Sequence, residues 1–230
     1  MKHSLFVWDQ EVAAQFPRLA VSVSIIKDVR VEQSAEVERL RNLVFAQMRS
    51  AFRLEELKDD PVVRAYRDFF WALNIDPTKT RPSGEALLRR VLHGEDIPRI
   101  SSAVDSYNLA SLQTIVPISG FDLDILAAPL HIRFSKEGDV FQGIGMQAPK
   151  RLEEGMLVVA DSQQILCIYP HKDADSTKIT FKTKNILLVG YGAPNISKDR
   201  LVDAVNLASS YIKQTSRGRI EGIEVSSAGP

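Results

Sequence analysis

Two glycine patterns in this chain could cradle a nucleotide phosphate. Gly143, Gly145 and Ala148 fit G-x-G-x-x-A, but Pro149 follows and no helix start is visible there. A phosphate would lack the helix N-terminus such a site uses. Gly190 and Gly192 fall between a predicted strand and a predicted helix, yet Asn195 stands at the third glycine position and Pro194 interrupts. Too little chain remains for a βαβ unit, and ordinary glycine turns explain both patterns. Nucleophile chemistry finds no G-x-S-x-G elbow. The single cysteine, Cys167, sits inside the apolar run Ile165 to Tyr169. There it reads as a small core residue whose thiol burial would hold protonated. His171 follows in a polar turn, either a surface histidine or, if it faces a cleft, a proton-transfer group. His3, His93, His131 and His171 are far apart and show no metal-ligand spacing, so neither a metal nor another cofactor is expected.

Arg64, Arg67, Arg81, Arg89, Arg90 and Arg99, with Lys79, give residues 61–100 seven bases against five acids. That surplus fits a modest RNA-facing patch. Solvated helix faces account for it equally well.

The elements that must position these groups follow from periodicity. Ala20 to Ile26 alternates small or polar with β-branched residues, as a strand with one buried face does. Ser34 can cap a helix with an apolar stripe of Val37, Leu40, Val44, Met48 and Phe52, running to about Leu57. Asp60 before Pro61 is an N-cap with proline at the first helical position, and Val62, Tyr66, Phe69, Phe70 and Leu73 form that helix's core face. Ser83 to His93, with Ser83 as cap and Gly94 as stop, and Ala103 to Gln113 read as two more helices. Beyond Pro117 come short apolar runs that read as strands: Leu130 to Phe134, Met156 to Asp161, Ile165 to Tyr169, Lys178 to Phe181 and Asn185 to Gly190. Ser162 to Gln164 and Asp173 to Ser176 read as turns, and Ser197 caps a last helix through Ile212. Helices, then strands, then a closing helix argue an α+β fold. The stretch from Ser216 to Pro230 has few apolar anchors and reads as a mobile tail.

With 44% hydrophobic and 25% charged residues over 230 positions, the chain can bury a core, which excludes disordered, collagenous and coiled-coil classes. Lys plus Arg and Asp plus Glu balance at 29 each, so net charge predicts no DNA or membrane partner. Any nucleic-acid surface must be local. Met1 to Asp9 lacks a signal-peptide pattern and no apolar run approaches a membrane helix. A cytoplasmic location is expected, and nothing in the pattern sets an oligomeric state.

Longer segments resemble a known family. Arg81-Pro-Ser-Gly-Glu-Ala-Leu-Leu-Arg-Arg90, Ile97-Pro-Arg-Ile100, Val104-Asp-Ser-Tyr-Asn-Leu-Ala-Ser-Leu112 and Pro117-Ile-Ser-Gly-Phe-Asp-Leu-Asp124 are similar to the tRNA-editing module of the phenylalanyl-tRNA synthetase β subunit and its free-standing relatives. Val158-Val-Ala-Asp161, Thr177-Lys-Ile-Thr180 and Thr183-Lys-Asn-Ile-Leu-Leu188 continue the likeness, which spans about Val62 to Gln214. It implies an α+β, three-layer fold with a β-sandwich-like mixed sheet core and flanking helices. The implied organisation is an N-terminal strand and helix (1–60) packed on an editing-module-like domain (61–215), then the tail (216–230).

The family module hydrolyses a wrong aminoacyl ester at the acceptor end of a tRNA. By resemblance Asn108, Ser119 and Asp122 are the catalytic candidates. Tyr107, Gly120, Cys167 and Tyr169 would contact substrate on the same grounds, His171 would join them if it faces the cleft, and the local charge surplus makes Arg81, Arg89, Arg90 and Arg99 the candidates to contact the RNA. The family's histidine becomes Ser119, its alanine becomes Gly120, its usual threonine becomes Tyr107, and Val189 stands where an acidic residue is expected.

An aminoacyl ester is already activated, so orienting water and stabilising the oxyanion could suffice. Asn108 and Ser119 can donate hydrogen bonds and Gly120 allows close backbone approach. Asp122 could orient either donor or simply cap a turn. The leading expectation is a trans-acting aminoacyl-tRNA deacylase, in loose association with a synthetase. A non-catalytic RNA-binding module and an amino-acid-binding protein are the alternatives, the RNA binder distinguished by salt sensitivity.

Overall fold

The computed structural model describes residues 5–229, so His3 and Pro230 lie outside it. In chain order the elements are β1 (Phe6–Trp8), α1 (Gln10–Gln15), β2 (Ala20–Lys27), α2 (Ala35–Ala51), α3 (Pro61–Ala72), α4 (Ser83–Leu92), α5 (Ser102–Thr114) and β3 (Ile118–Asp122). There follow β4 (Leu130–Phe134), β5 (Val140–Phe141), β6 (Lys150–Arg151), β7 (Leu157–Ala160), β8 (Ile165–Ile168), β9 (Lys172–Asp173), β10 (Ile186–Tyr191), α6 (Lys198–Ser216) and β11 (Arg219–Ser227). The fold is α+β.

Helix starts obey the expected chemistry. The Asp60 carboxylate accepts from the Val62 and Val63 amides at 2.8 and 3.1 Å, satisfying two donors that helix geometry leaves without partners. Ser34 and Ser197 cap α2 and α6 in the same way. At α4 the cap position is Pro82, and Ser83 is the first helical residue rather than the cap. Helix α2 stops at Ala51, short of Leu57, because Phe52 turns extended.

Two sheets build the core. One runs β1-β4-β7-β8-β9 and the other β11-β2-β10-β3, with β5 and β6 as a separate ribbon. Only β1 with β4 is parallel among these pairings.

Strand alternation then decides which side chains face which layer. In β10, Gly190 lies under α6, since a Cβ there would come within 2.7 Å of Val205 Cγ2. Its register partner Ser22 and neighbouring Ser24 are small and buried as well. Small residues on this face let α6 approach β2 and β10 closely. The alternate residues Val189 and Tyr191 therefore face away from α6, and Tyr191 reaches Cys167 of β8 in the other sheet.

Several expectations need correction. Ile118–Asp122, absent from the predicted strands, is a fully buried strand. Lys178 to Phe181 is not a strand; Lys178 makes one isolated bridge to Phe121. Asp173, placed in a turn, belongs to β9. The segment read as a mobile tail carries β11, which pairs with β2 from Arg219↔Lys27 to Ser227↔Ala20. A bulge between Ile220 and Gly222 hides the strand signal. It puts Ile220, Ile223 and Val225 opposite Ile26, Ser24 and Ser22, all on one face, although their spacing breaks a period of two.

Candidate functional site

The seam between the sheets brings together residues from four strands, and helix α5 packs on the other face of β3. Ser119 on β3 donates its hydroxyl to Asp173 Oδ1 on β9 at 2.7 Å. Antiparallel register sets Val189 of β10 directly beside Ser119, an apolar wall where the resemblance expects an acid. Cys167 Sγ lies 3.1 Å from the Tyr191 hydroxyl. Burial pushes both of these acids up, so both stay protonated near neutrality.

Asp173 is the group with unusual electrostatics. Burial pushes its carboxyl up to about 6, against the opposing hydrogen bond from Ser119. Near neutral pH it therefore exchanges readily between acid and base forms, the property a general acid or base needs. The short strand carrying it is held on both sides. Asp173 is in register with Cys167 of β8, and its carbonyl accepts from the Ile144 amide at 2.9 Å.

Helix α5 packs on β3 and delivers Tyr107, whose ring would lie 2.8 Å from any Cβ at position 120. Glycine is required there because Ile179 crowds the same point at 2.7 Å. Tyr107 is buried, and burial, reinforced by the Asp173 charge, raises its hydroxyl. Asn108 follows on the helix, half-buried. Among the described residues its amide makes no hydrogen bond, which leaves both donors uncommitted.

Other candidates are differently employed. Asp122 accepts from Thr183 Oγ1 at 2.7 Å and from the Asp124 amide at 3.2 Å. It stabilises the turn after β3 and, by alternation, points to the opposite face from Ser119. Tyr169 donates to the Gly192 carbonyl at 2.9 Å and stacks edge-on against Tyr191 with centroids 4.7 Å apart, so it packs the seam. His171 lies against Phe70 of α3, and burial with help from Lys172 lowers its pKa. Sequence reasoning missed Asp173 and Tyr191. The apolar residue preceding Gly190 was a usable signal for Tyr191, two positions on along the same face.

Of the basic residues, Arg81, Arg89 and Arg90 line a surface cleft of about 470 Å³ together with Lys79, Ala86, His93 and Glu95. Arg99 is not part of it. Its guanidinium is taken up by Glu38, at 2.9 Å, and by Asp96. Among the described residues no group of three or more His, Cys, Asp or Glu side chains is placed to hold a metal ion, and no helix is long and apolar enough to cross a membrane.

Residues 65–219 match the family described as the B3/4 domain, and the chain belongs to that family. The phenylalanine–tRNA ligase beta subunit of Neisseria meningitidis serogroup B is 30% identical over 124 residues, covering 54% of this chain and 15% of that protein. The same subunit from Haemophilus ducreyi is 27% identical over 115 residues, covering 50% and 14%. The match thus spans about one seventh of these curated relatives. An N-terminal fragment of the phenylalanyl-tRNA synthetase beta subunit from Pyrococcus horikoshii aligns with 94% of this chain and 49% of its own, at a TM-score of 0.49 and 12% identity.

Proposed function

We propose that this chain is a trans-acting aminoacyl-tRNA deacylase in which Asp173 activates water. The observation that carries this reading is the 2.7 Å Ser119–Asp173 pair, with a carboxyl raised to about 6 inside the inter-sheet seam. In its ionised form Asp173 takes a proton from water as the water oxygen bonds to the ester carbonyl carbon. The bond from carbon to the ribose oxygen then breaks, and the ribose oxygen receives that proton. Amino acid and uncharged tRNA are released. Ser119 orients the carboxylate and Asn108 donates to the developing oxyanion.

The test is deacylation of a panel of misacylated tRNAs by the wild-type protein, Asp173→Asn and Asn108→Ala. Asp173→Asn should lower the rate by about a hundredfold to ten-thousandfold, as loss of a positioned base does. Asn108→Ala should cost about tenfold to a thousandfold, as loss of one oxyanion donor does. The wild-type rate should rise with pH through about 6 and level off above it, since the ionised carboxyl is the active form. That limb should vanish in Asp173→Asn.

A second reading is favoured by one observation. Cys167, Tyr169 and Tyr191 are all buried and pack on one another in the seam an aminoacyl group would enter. A non-catalytic RNA-binding module needs no such space. Retained tRNA binding with no hydrolysis across the panel would establish it.

A further inference from the structure

The proposed reaction makes no use of the cleft beside α4 that Arg81, Arg89 and Arg90 line. Its arginines are not simply waving from a solvated helix face. Glu85 is completely buried, and burying a carboxylate is costly unless it is paired and hydrogen-bonded. Two guanidinium groups meet that cost. Arg67 gives Nε and Nη2 to the two carboxylate oxygens at 2.8 and 2.6 Å, and Arg89 gives Nε at 2.6 Å. The cluster carries two positive charges against one negative, and Arg89 is anchored through Nε alone. Its terminal nitrogens remain available on the cleft side.

Arg90 is clamped in a comparable way. Its Nε and Nη2 donate to the Asp96 carbonyl at 3.1 and 3.0 Å, with Glu95 3.3 Å from Nη2. Arg81 is exposed and, among the described residues, makes no ion pair or hydrogen bond. Lys79 is 3.9 Å from Asp76, too far for more than a loose pairing. Two guanidinium groups held in place, Arg89 and Arg90, with the uncommitted Arg81 beside an open cleft match several phosphates rather than one carboxylate.

We propose that this cleft binds the phosphate backbone of an RNA, with Arg81, Arg89 and Arg90 donating to successive phosphates and Glu85 acting as the positioning residue for Arg89. The choice of RNA over other polyphosphates rests on the tRNA-directed reading above; the cleft itself does not.

The experiment is equilibrium binding of uncharged tRNA at several salt concentrations, so that no ester chemistry enters the readout. Arg81→Glu should weaken binding about tenfold and flatten the dependence of log K on log salt by about one unit or more, as loss of phosphate contacts does. Lys213→Glu, an equal charge change at an exposed position on α6, should change affinity less than about twofold. Equal losses in the two variants would mean diffuse attraction and overturn the proposal. So would an absence of tRNA binding, or binding confined to inorganic pyrophosphate. Failed hydrolysis with Arg81-dependent binding would sink only the deacylase reading. Hydrolysis with binding indifferent to Arg81→Glu would sink only the cleft.

Discussion

At Asp173 the same burial that readies a base also burdens the fold. In the unfolded chain an aspartate titrates at about 3.9, whereas here it titrates at about 6. Between these values the folded protein keeps a proton that the unfolded chain has lost. Stability therefore falls as pH rises through that window and stays at the lower level above it. Asp173→Asn, which can still accept from Ser119, should be more stable than wild type at pH 7 by on the order of 2 kcal/mol, with the gap closing below about pH 3.5. Chemical denaturation of both proteins at the two pH values measures this; a constant gap would show that the carboxyl is well solvated. Ser119 and its neighbours were legible through motif resemblance, but Asp173 was not. Its strand has two residues, and the side chain that hydrogen-bonds its carboxyl, Ser119 of β3, lies 54 residues earlier. No local pattern encodes such a contact.

Among the elements, α4 and α5 meet backbone to backbone. A Cβ at Gly84 would sit 2.6 Å from the Ile115 carbonyl oxygen, and backbone cannot swing aside as a side chain can. Ile115 is itself held at φ 62°, a left-handed conformation that β-branched residues rarely adopt. Gly84→Ala should therefore destabilise by about 1–3 kcal/mol, the range for overpacking, and should displace the α4 cleft. Thermal unfolding and tRNA affinity should both register the change. An unaltered midpoint would mean that α4 can slide freely on α5. Capping chemistry made the helices readable, because Asp60 and Ser34 act locally. Strands at sheet edges were harder. β1 has three residues, and β11 loses its periodicity at the bulge.

Considered whole, the molecule depends on chain segments outside the core family match. β2 lies between β10 and β11 in its sheet, so residues 20–27 are structural members of the sheet that carries Ser119. Removing residues 217–229 should strip β2 of one partner and leave Ile26 and Ser24 without their cover on that side. Several backbone hydrogen bonds at about 1 kcal/mol each would be lost. A fall of on the order of 10 °C or more in the unfolding midpoint is expected for a chain of this size; a shift of a degree or two would show that β11 contributes little.

The pairing of β2 with β11 also has a consequence for biosynthesis. A ribosome that has finished β2 must still translate to Arg219 before the first residue of its β11 partner exists. At about 5–20 residues per second this wait is on the order of ten seconds or more. Throughout it Val21, Val23, Ile25 and Ile26 form an apolar strand with an open edge. β10, its other neighbour, is also made late. A chain halted within α6 would leave that edge of β2 without the β11 partner that covers it.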